Sequence, residues 1–349
     1  MLVRRIISWV GEMLKAPFPW FGGKSRVAHL VWERFGNVPN YVEPFFGSGA
    51  VLLGRPYDPG VETVNDLDCM VANFWRALQR DPEAVATHAD NPVNEADQHA
   101  RHLWLCSQEE FRERMKIEPE YYDAKIAGWW LWGQCIWIGA GWCSVQLPHL
   151  GDAGRGINRK LPHLGGGMGI NRKLPHLGDA GRGDEPRLSG LSERAFALLD
   201  YMVQLSERLR RVRVCCGDWN RICGPSPTIY LGITGVFFDP PYADEAERYD
   251  NIYSSDDGNV ANAVRVWAIE HGDDPRLRIA LCGYADEHEM PDSWECLHWE
   301  ASGGYGNLGS GRGAENRHRE RIWFSPHCLK PGLPFGEPLN ASAAPCSRE

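Results

Sequence analysis

Residues 237–244 read FFDPPYAD, and the way this stretch breaks decides the fold class. Gly235-Val236-Phe237-Phe238 is a short apolar, β-favouring run that stops at Asp239. The two prolines that follow cannot donate to a sheet ladder, and they stiffen the chain as it leaves the strand. A carboxylate, a backbone carbonyl and an aromatic ring are thereby presented together at a strand's C-terminal edge. In open α/β sheets that edge is where ligands sit.

The flanking sequence alternates in the same manner. Asn40 to Phe45 reads as a strand, Gly47-Ser48-Gly49 as a turn, and Ala50 to Leu53 as the start of a helix. Val61 to Val64 is a second strand, Asn65 to Asp68 its loop, and Cys69 to Leu78 has helical spacing. Val212 to Cys215, Leu277 to Cys282, Trp294 to Trp299 and Arg321 to Phe324 read as further strands. Strand–helix alternation predicts a sheet with helices on both faces.

The totals fit that reading. At 349 residues, 43% hydrophobic and 24% charged, the chain has ample core for one large domain or two ordinary ones. A formal charge of −9 argues against a protein that coats nucleic acid nonspecifically, although a local basic groove still steers a polyanion. Eleven cysteines show no paired CxxC spacing, and Cys215-Cys216 with Cys223 is the closest cluster. They read as reduced, buried thiols rather than a zinc site or a disulfide framework.

Residues 1–12 read as an unstructured leader ahead of a natural start at Met13, since their apolar stretch is too short for a signal peptide. Residues 126–147 carry no charge, but five tryptophans lie along the run rather than at its ends. That pattern predicts a buried helix with a glycine-rich exit, not a membrane anchor. Residues 147–183 hold a tandem repeat built on LPHLGDAGRGINRK. Six cations (Arg155, Arg159, Lys160, Arg172, Lys173, Arg182) against two acids give it a local charge of +4. It reads either as a duplication without a task or as a basic loop for phosphates. A second basic cluster, with Arg312 and Arg317, follows a glycine-rich stretch. Residues 329–349, rich in Pro, Ala and Ser, predict a disordered tail.

Three further segments carry chemistry. Pro19-Trp20-Phe21-Gly22-Gly23-Lys24 sets an aromatic, two glycines and a cation together. Glu43-Pro44-Phe45-Phe46-Gly47-Ser48-Gly49 is a strand-to-helix turn where backbone can closely approach a ligand. Asp66 follows about twenty residues later, where an acid can bond ribose hydroxyls. The turn lacks the full GxGxxG, which points away from a pyrophosphate-bearing cofactor and towards a nucleoside-type one.

In this order the segments resemble the DNA adenine-N6 methyltransferase family in its Dam-type arrangement, over most of residues 13–328. The resemblance implies a class I methyltransferase (Rossmann-like) α/β fold, a mixed sheet with helices on both faces, S-adenosylmethionine as donor, and a flipped adenine in double-stranded DNA as acceptor. By position, Trp20, Gly22, Gly23, Lys24, Glu43, Phe45, Phe46, Gly47, Ser48, Gly49, Asp66, Asp218, Trp219 and Asp239 match donor contacts. Asp239, Pro240, Pro241 and Tyr242 match the catalytic tetrapeptide. The implied organisation is a catalytic domain from 13–85 and 205–328, with a target-recognition insertion at 86–204 that includes the repeat. The implied setting is a monomer in the cytoplasm of a bacterial or phage-infected cell, using neither metal nor membrane, and a restriction endonuclease partner is not legible. Rival readings are a cytosine-N4 or RNA amino-methyltransferase, a catalytically silent DNA-binding module and, more remotely, an NAD-type dehydrogenase.

Overall fold

The computed structural model describes residues 14–20, 23–137, 142–143, 173–174, 178–179, 190–241, 260–285, 287–299 and 319–331. The leader at 1–12, most of the repeat and all of the tail beyond residue 331 lie outside them.

Strands β1 (Asn40–Glu43), β2 (Val61–Asp66), β5 (Val212–Cys216), β6 (Thr234–Phe238), β7 (Leu277–Tyr284), β8 (Glu295–His298) and β9 (Glu320–Phe324) form one sheet in the order β5-β2-β1-β6-β7-β9-β8. The first five are parallel, and β9 runs antiparallel between β7 and β8. Every residue of β1 and β6 is buried, as expected of parallel strands covered on both faces. The Asn40 amide nitrogen donates to Thr234 Oγ1 and to Pro227 O, each at 2.8 Å.

Side chains that alternate along β6 feed two separate cores. Phe237 joins a large core with helices α1 (Ala28–Phe35), α2 (Ala50–Leu53), α3 (Cys69–Arg80), α4 (Pro82–Ala89), α7 (Ala124–Ile136) and α8 (Gly190–Leu209). Val236 and Phe238 join a smaller one with α9 (Val260–His271) and the 3-10 turn Trp219–Ile222. Helices thus cover both faces, and the sheet is the mixed α/β sheet of a class I methyltransferase fold. Helices α5 (Glu95–Cys106) and α6 (Glu109–Ile117) extend the α7 side.

Helix starts follow their caps. Asp68 accepts from Met70 N–H at the head of α3, and Asp123 accepts from Ile126 N–H at the head of α7. Helix α7 is buried almost all round, the packing expected of its uncharged, tryptophan-rich sequence. No described helix is long and apolar enough to cross a membrane. Trp130 of α7 meets Phe18 edge-on at 4.9 Å and lies 6.3 Å from the Trp20 ring. The middle of the chain therefore backs the Trp20 segment. Helix α8 runs unbroken past residue 204, and Arg208 on it reaches Glu62 Oε2 at 2.6 Å. Arg55 bonds the same carboxylate at 3.3 Å, so α8 is tied to β2 through a buried Arg–Glu–Arg triad.

Two boundaries differ from the sequence reading. Asn65 and Asp66 are the last residues of β2, not a loop, because pairing with Cys215 and Cys216 of β5 carries the strand further. Phe45 lies beyond β1, which ends at Glu43. In the repeat, Lys173–Leu174 (β3) and Gly178–Asp179 (β4) form a short antiparallel pair. Leu329, at the head of the expected tail, donates its N–H to Arg34 O at 2.8 Å.

Candidate active site

The chain runs leftwards from β1 to β2 and β5, then crosses over to β6 on the other side of β1. The crevice between β1 and β6 is the switch point where such sheets bind ligands. A small cavity opens there, lined by Trp20, Gly23, Lys24, Glu43, Phe45, Phe46, Ser48, Ala50, Val51, Phe237 and Asp239. Eight of these are predicted site residues, drawn from three separate segments.

The floor of the site is held by backbone. Gly47 and Gly49 have φ of +46° and +68°, and a Cβ on Gly47 would overlap the Trp20 indole; only glycine meets both demands. Phe46 N–H donates to Asn65 O, Gly49 N–H to Phe46 O and Trp75 Nε1–H to Gly47 O, all at 2.9 Å. Asn65 Nδ2 reaches Pro44 O at 3.1 Å and Gly217 O at 2.8 Å, clamping the turns after β1 and β5 together.

Asp66 is almost buried and does not line the cavity. Its Oδ2 accepts from Gly47 N–H and its Oδ1 from Asp68 N–H, both at 2.9 Å. Burial, followed by the neighbouring Asp68 charge, pushes its carboxyl up to about 7 against those two bonds. Asp218 caps the turn Trp219–Ile222 by accepting from Asn220 N–H at 2.9 Å. The Trp219 ring stacks beside Phe45, with centroids 6.4 Å apart. These two residues stand next to the cavity wall rather than in it.

The other wall is charged. Lys24 Nζ lies 2.9 Å from Asp239 Oδ1 and 3.9 Å from Glu320 Oε2, with its ammonium 5.3 Å above the Trp299 ring. Burial works against the Lys24 ammonium, but Asp239 and then Glu320 outweigh it and hold the ammonium above the ordinary lysine range. Glu43 accepts from Tyr41 O–H at 2.8 Å. Burial drives its carboxyl well above the usual carboxylate range, against the Tyr41 bond and with the Asp239 charge adding to the rise. The cavity therefore holds a carboxyl biased towards its protonated form beside an ion pair.

Pro240 is buried and Pro241 half-buried at the rim. Gly22, Tyr242, Arg155, Arg159, Lys160, Arg172, Arg182, Arg312 and Arg317 lie outside the described residues, and Lys173 is described only as part of β3. Sequence reasoning missed Glu320, Trp299, Tyr41, Asn65 and Trp75. Tyr41 was visible in principle, two residues before Glu43 on a strand and so on the same face. The others come from distant elements and left no local signal.

A switch-point cavity bounded by a glycine turn, an aromatic wall and the Asp239 carboxylate is the arrangement of a class I methyltransferase-type α/β fold. Residues 20–126 match the sequence model of the D12 class N6 adenine-specific DNA methyltransferase family. A DNA N-6-adenine-methyltransferase of Escherichia phage P1 is 29% identical over 85 residues, 24% of this chain and 11% of that protein. Residues 20–126 are thus similar to the D12 class N6 adenine-specific DNA methyltransferase family, and the chain spans about a tenth of the length of the phage relative it matches. The family match contains the glycine turn, Asp66 and Lys24, and it ends before Asp239.

Proposed function

We propose that the chain transfers a methyl group from S-adenosylmethionine to the N6 amine of an adenine flipped out of duplex DNA. The observation that carries this reading is the Asp239 carboxylate, seated at the switch-point cavity and facing the glycine turn. The residues suit the donor. The aromatic rings of Trp20 and Phe45, with nearby carboxylates, match a cationic sulfur, and the Gly47–Gly49 turn leaves room for a close backbone approach. Asp66 and the Asp218-Trp219 turn would hold the nucleoside half. When bound, the donor supplies an electrophilic methyl on a positively charged sulfur.

The work of this chain lies in the acceptor. An adenine amine is a poor nucleophile because its lone pair is delocalised into the ring. Asp239 and the Pro240 carbonyl accept its two hydrogens, which returns electron density to nitrogen and aims the lone pair at the methyl carbon. Fixed acceptors of this kind act through position and electrostatics. Attack leaves the nitrogen with a positive charge and one proton too many, and Asp239 is the carboxylate placed to take it. Before that, Lys24 must leave Asp239 Oδ1, and Glu320, already 3.9 Å from the ammonium, is the carboxylate that receives it. Tyr242 provides a face for the flipped base, offsetting about a few kcal/mol of lost duplex stacking.

We assign target recognition to residues 86–204. Phosphate contacts fall to the repeat's Arg155, Arg159, Lys160, Arg172, Lys173 and Arg182, together with Arg312 and Arg317, on the strength of the local charge excess. The test is transfer of tritiated methyl from S-adenosylmethionine to unmethylated duplex DNA, followed by digestion to nucleosides. Label in N6-methyldeoxyadenosine supports the reading; label in N4-methyldeoxycytidine, or none, overturns it.

A further inference from the structure

We propose that Cys69 and Cys216 form a disulfide when a hydroperoxide reaches the protein, and that this bond shuts down donor binding. The second half rests on the reading of the cavity given above. Cys216 ends β5, and Cys69 is the first residue of α3. Their sulfurs stand 3.9 Å apart, with Cys216 S–H donating to Cys69. Both thiols are half-buried, whereas Cys135, Cys223, Cys282 and Cys328 are buried.

Alternation along β5 selects the partner. Cys215 packs against the core on the α9 side and Cys216 against the other core, so only Cys216 faces Cys69. Placement at the start of a twelve-residue helix, together with the Cys216 hydrogen bond, favours the Cys69 thiolate. Cys69 is therefore the attacking sulfur. Its thiolate takes one peroxide oxygen, the O–O bond breaks, and hydroxide leaves as water after protonation. The Cys216 sulfur then displaces the hydroxyl of the Cys69 sulfenic acid, and the proton that Cys216 gives up leaves with that hydroxyl as water. Two thiols are oxidised to one disulfide while one peroxide is reduced to two waters.

The bond would tighten the mouth of the nucleoside side. Cys216 pairs in register with Asp66, and Gly217 N–H donates to Asp66 O at 3.1 Å. Cys69 follows Asp68, whose N–H is bonded to Asp66 Oδ1. Drawing the sulfurs from 3.9 Å to about 2.05 Å would pull the Asp66–Cys69 segment towards the Gly217-Asp218 turn and displace the residues assigned to the donor's nucleoside half.

The experiment treats the full chain with hydrogen peroxide, digests it with trypsin without reduction, and maps the peptides by mass. The expected product joins peptide 35–76 to peptide 214–221 with the loss of two hydrogens. Because the second peptide holds both Cys215 and Cys216, the product must persist in Cys215→Ser and vanish in Cys216→Ser. Absence of the joined peptide, or its loss in Cys215→Ser, overturns the pairing. By calorimetry, the oxidised protein should bind S-adenosylmethionine about tenfold more weakly than the reduced protein, within the usual range of coupled sites, with recovery on dithiothreitol. Unchanged affinity overturns the shutdown. A reduced protein that binds no donor at all overturns the functional reading instead, and the disulfide is then judged on the peptide masses alone.

Discussion

The two walls of the cavity are built by different means. The glycine-turn wall comes from residues 43–49, close in sequence, and its backbone is fastened by hydrogen bonds to the Asn65 carbonyl, the Asp66 carboxyl and the Trp75 indole. The opposite wall brings Lys24, Asp239 and Glu320 together from both ends of the chain and is held by side-chain charge. The first is rigid and preorganised, whereas the second has two carboxylates competing for one ammonium. A rigid wall suits a ligand that must always sit the same way. A competitive wall suits a group that must be released when a second substrate arrives.

The largest expected effect is on the charged wall. Asp239→Ala should lower methyl transfer by at least about a hundredfold, as when a single fixed transition-state contact is removed. Its circular dichroism should stay close to wild type, while its melting point should fall, because buried Lys24 keeps only Glu320 at 3.9 Å as an ion-pair partner. Near wild-type transfer to adenine would break the distinction between the walls, leaving Asp239 no more than a partner for Lys24.

On the rigid wall the matching change is Gly47→Ala. The residue sits at φ +46°, and its new methyl would overlap the Trp20 indole. A stability loss of about 1–3 kcal/mol is expected from forcing a side chain into that backbone region, read as a lower urea midpoint at unchanged slope. Donor affinity should fall with it. An unchanged midpoint would mean that the turn relaxes freely and is not preorganised.

Glu320→Gln sharpens the comparison within the charged wall. If Glu320 receives Lys24 when Asp239 is released, turnover should drop by about tenfold, equal to about 1.4 kcal/mol on the barrier. Donor affinity should be unchanged, because the glycine turn is untouched. A purely structural role would instead weaken donor binding and turnover together.

The same contrast sets what could be read from the sequence. The backbone-built wall is local, and local rules found it: a glycine turn after a strand, a helix next, an acid at the following strand's end. Strand positions were legible for the same reason, since apolar runs such as Gly235–Phe238 carry their own periodicity. Glu320 and Trp299 were not legible, because nothing near them in the chain marks them as neighbours of Lys24. Cys69 and Cys216 escaped too; only the parallel pairing of β2 with β5 brings them together, while Cys215-Cys216-Cys223 drew attention by mere adjacency. Asn65 and Asp66 read as loop because polarity signals a turn, yet strand pairing prevailed there.

Asp66 gives the smallest effect and the finest test of the rigid wall. Its carboxyl is raised to about 7 by burial and then by Asp68, whereas an unfolded aspartate titrates near 4. Between those values the folded chain keeps a proton that the unfolded chain has lost, so stability should fall as pH rises from about 4 to about 7. Donor affinity should run the other way, because an ionised Asp66 is the better acceptor for ribose hydroxyls, and should rise as pH passes through about 7. Asp66→Asn should flatten both slopes and weaken binding at pH 8 more than at pH 6. Calorimetric titrations with S-adenosylmethionine at several pH values, alongside urea melts, would read both. Slopes of the same sign would mean that Asp66 only fastens the turn, and that the ribose contact lies elsewhere on the wall.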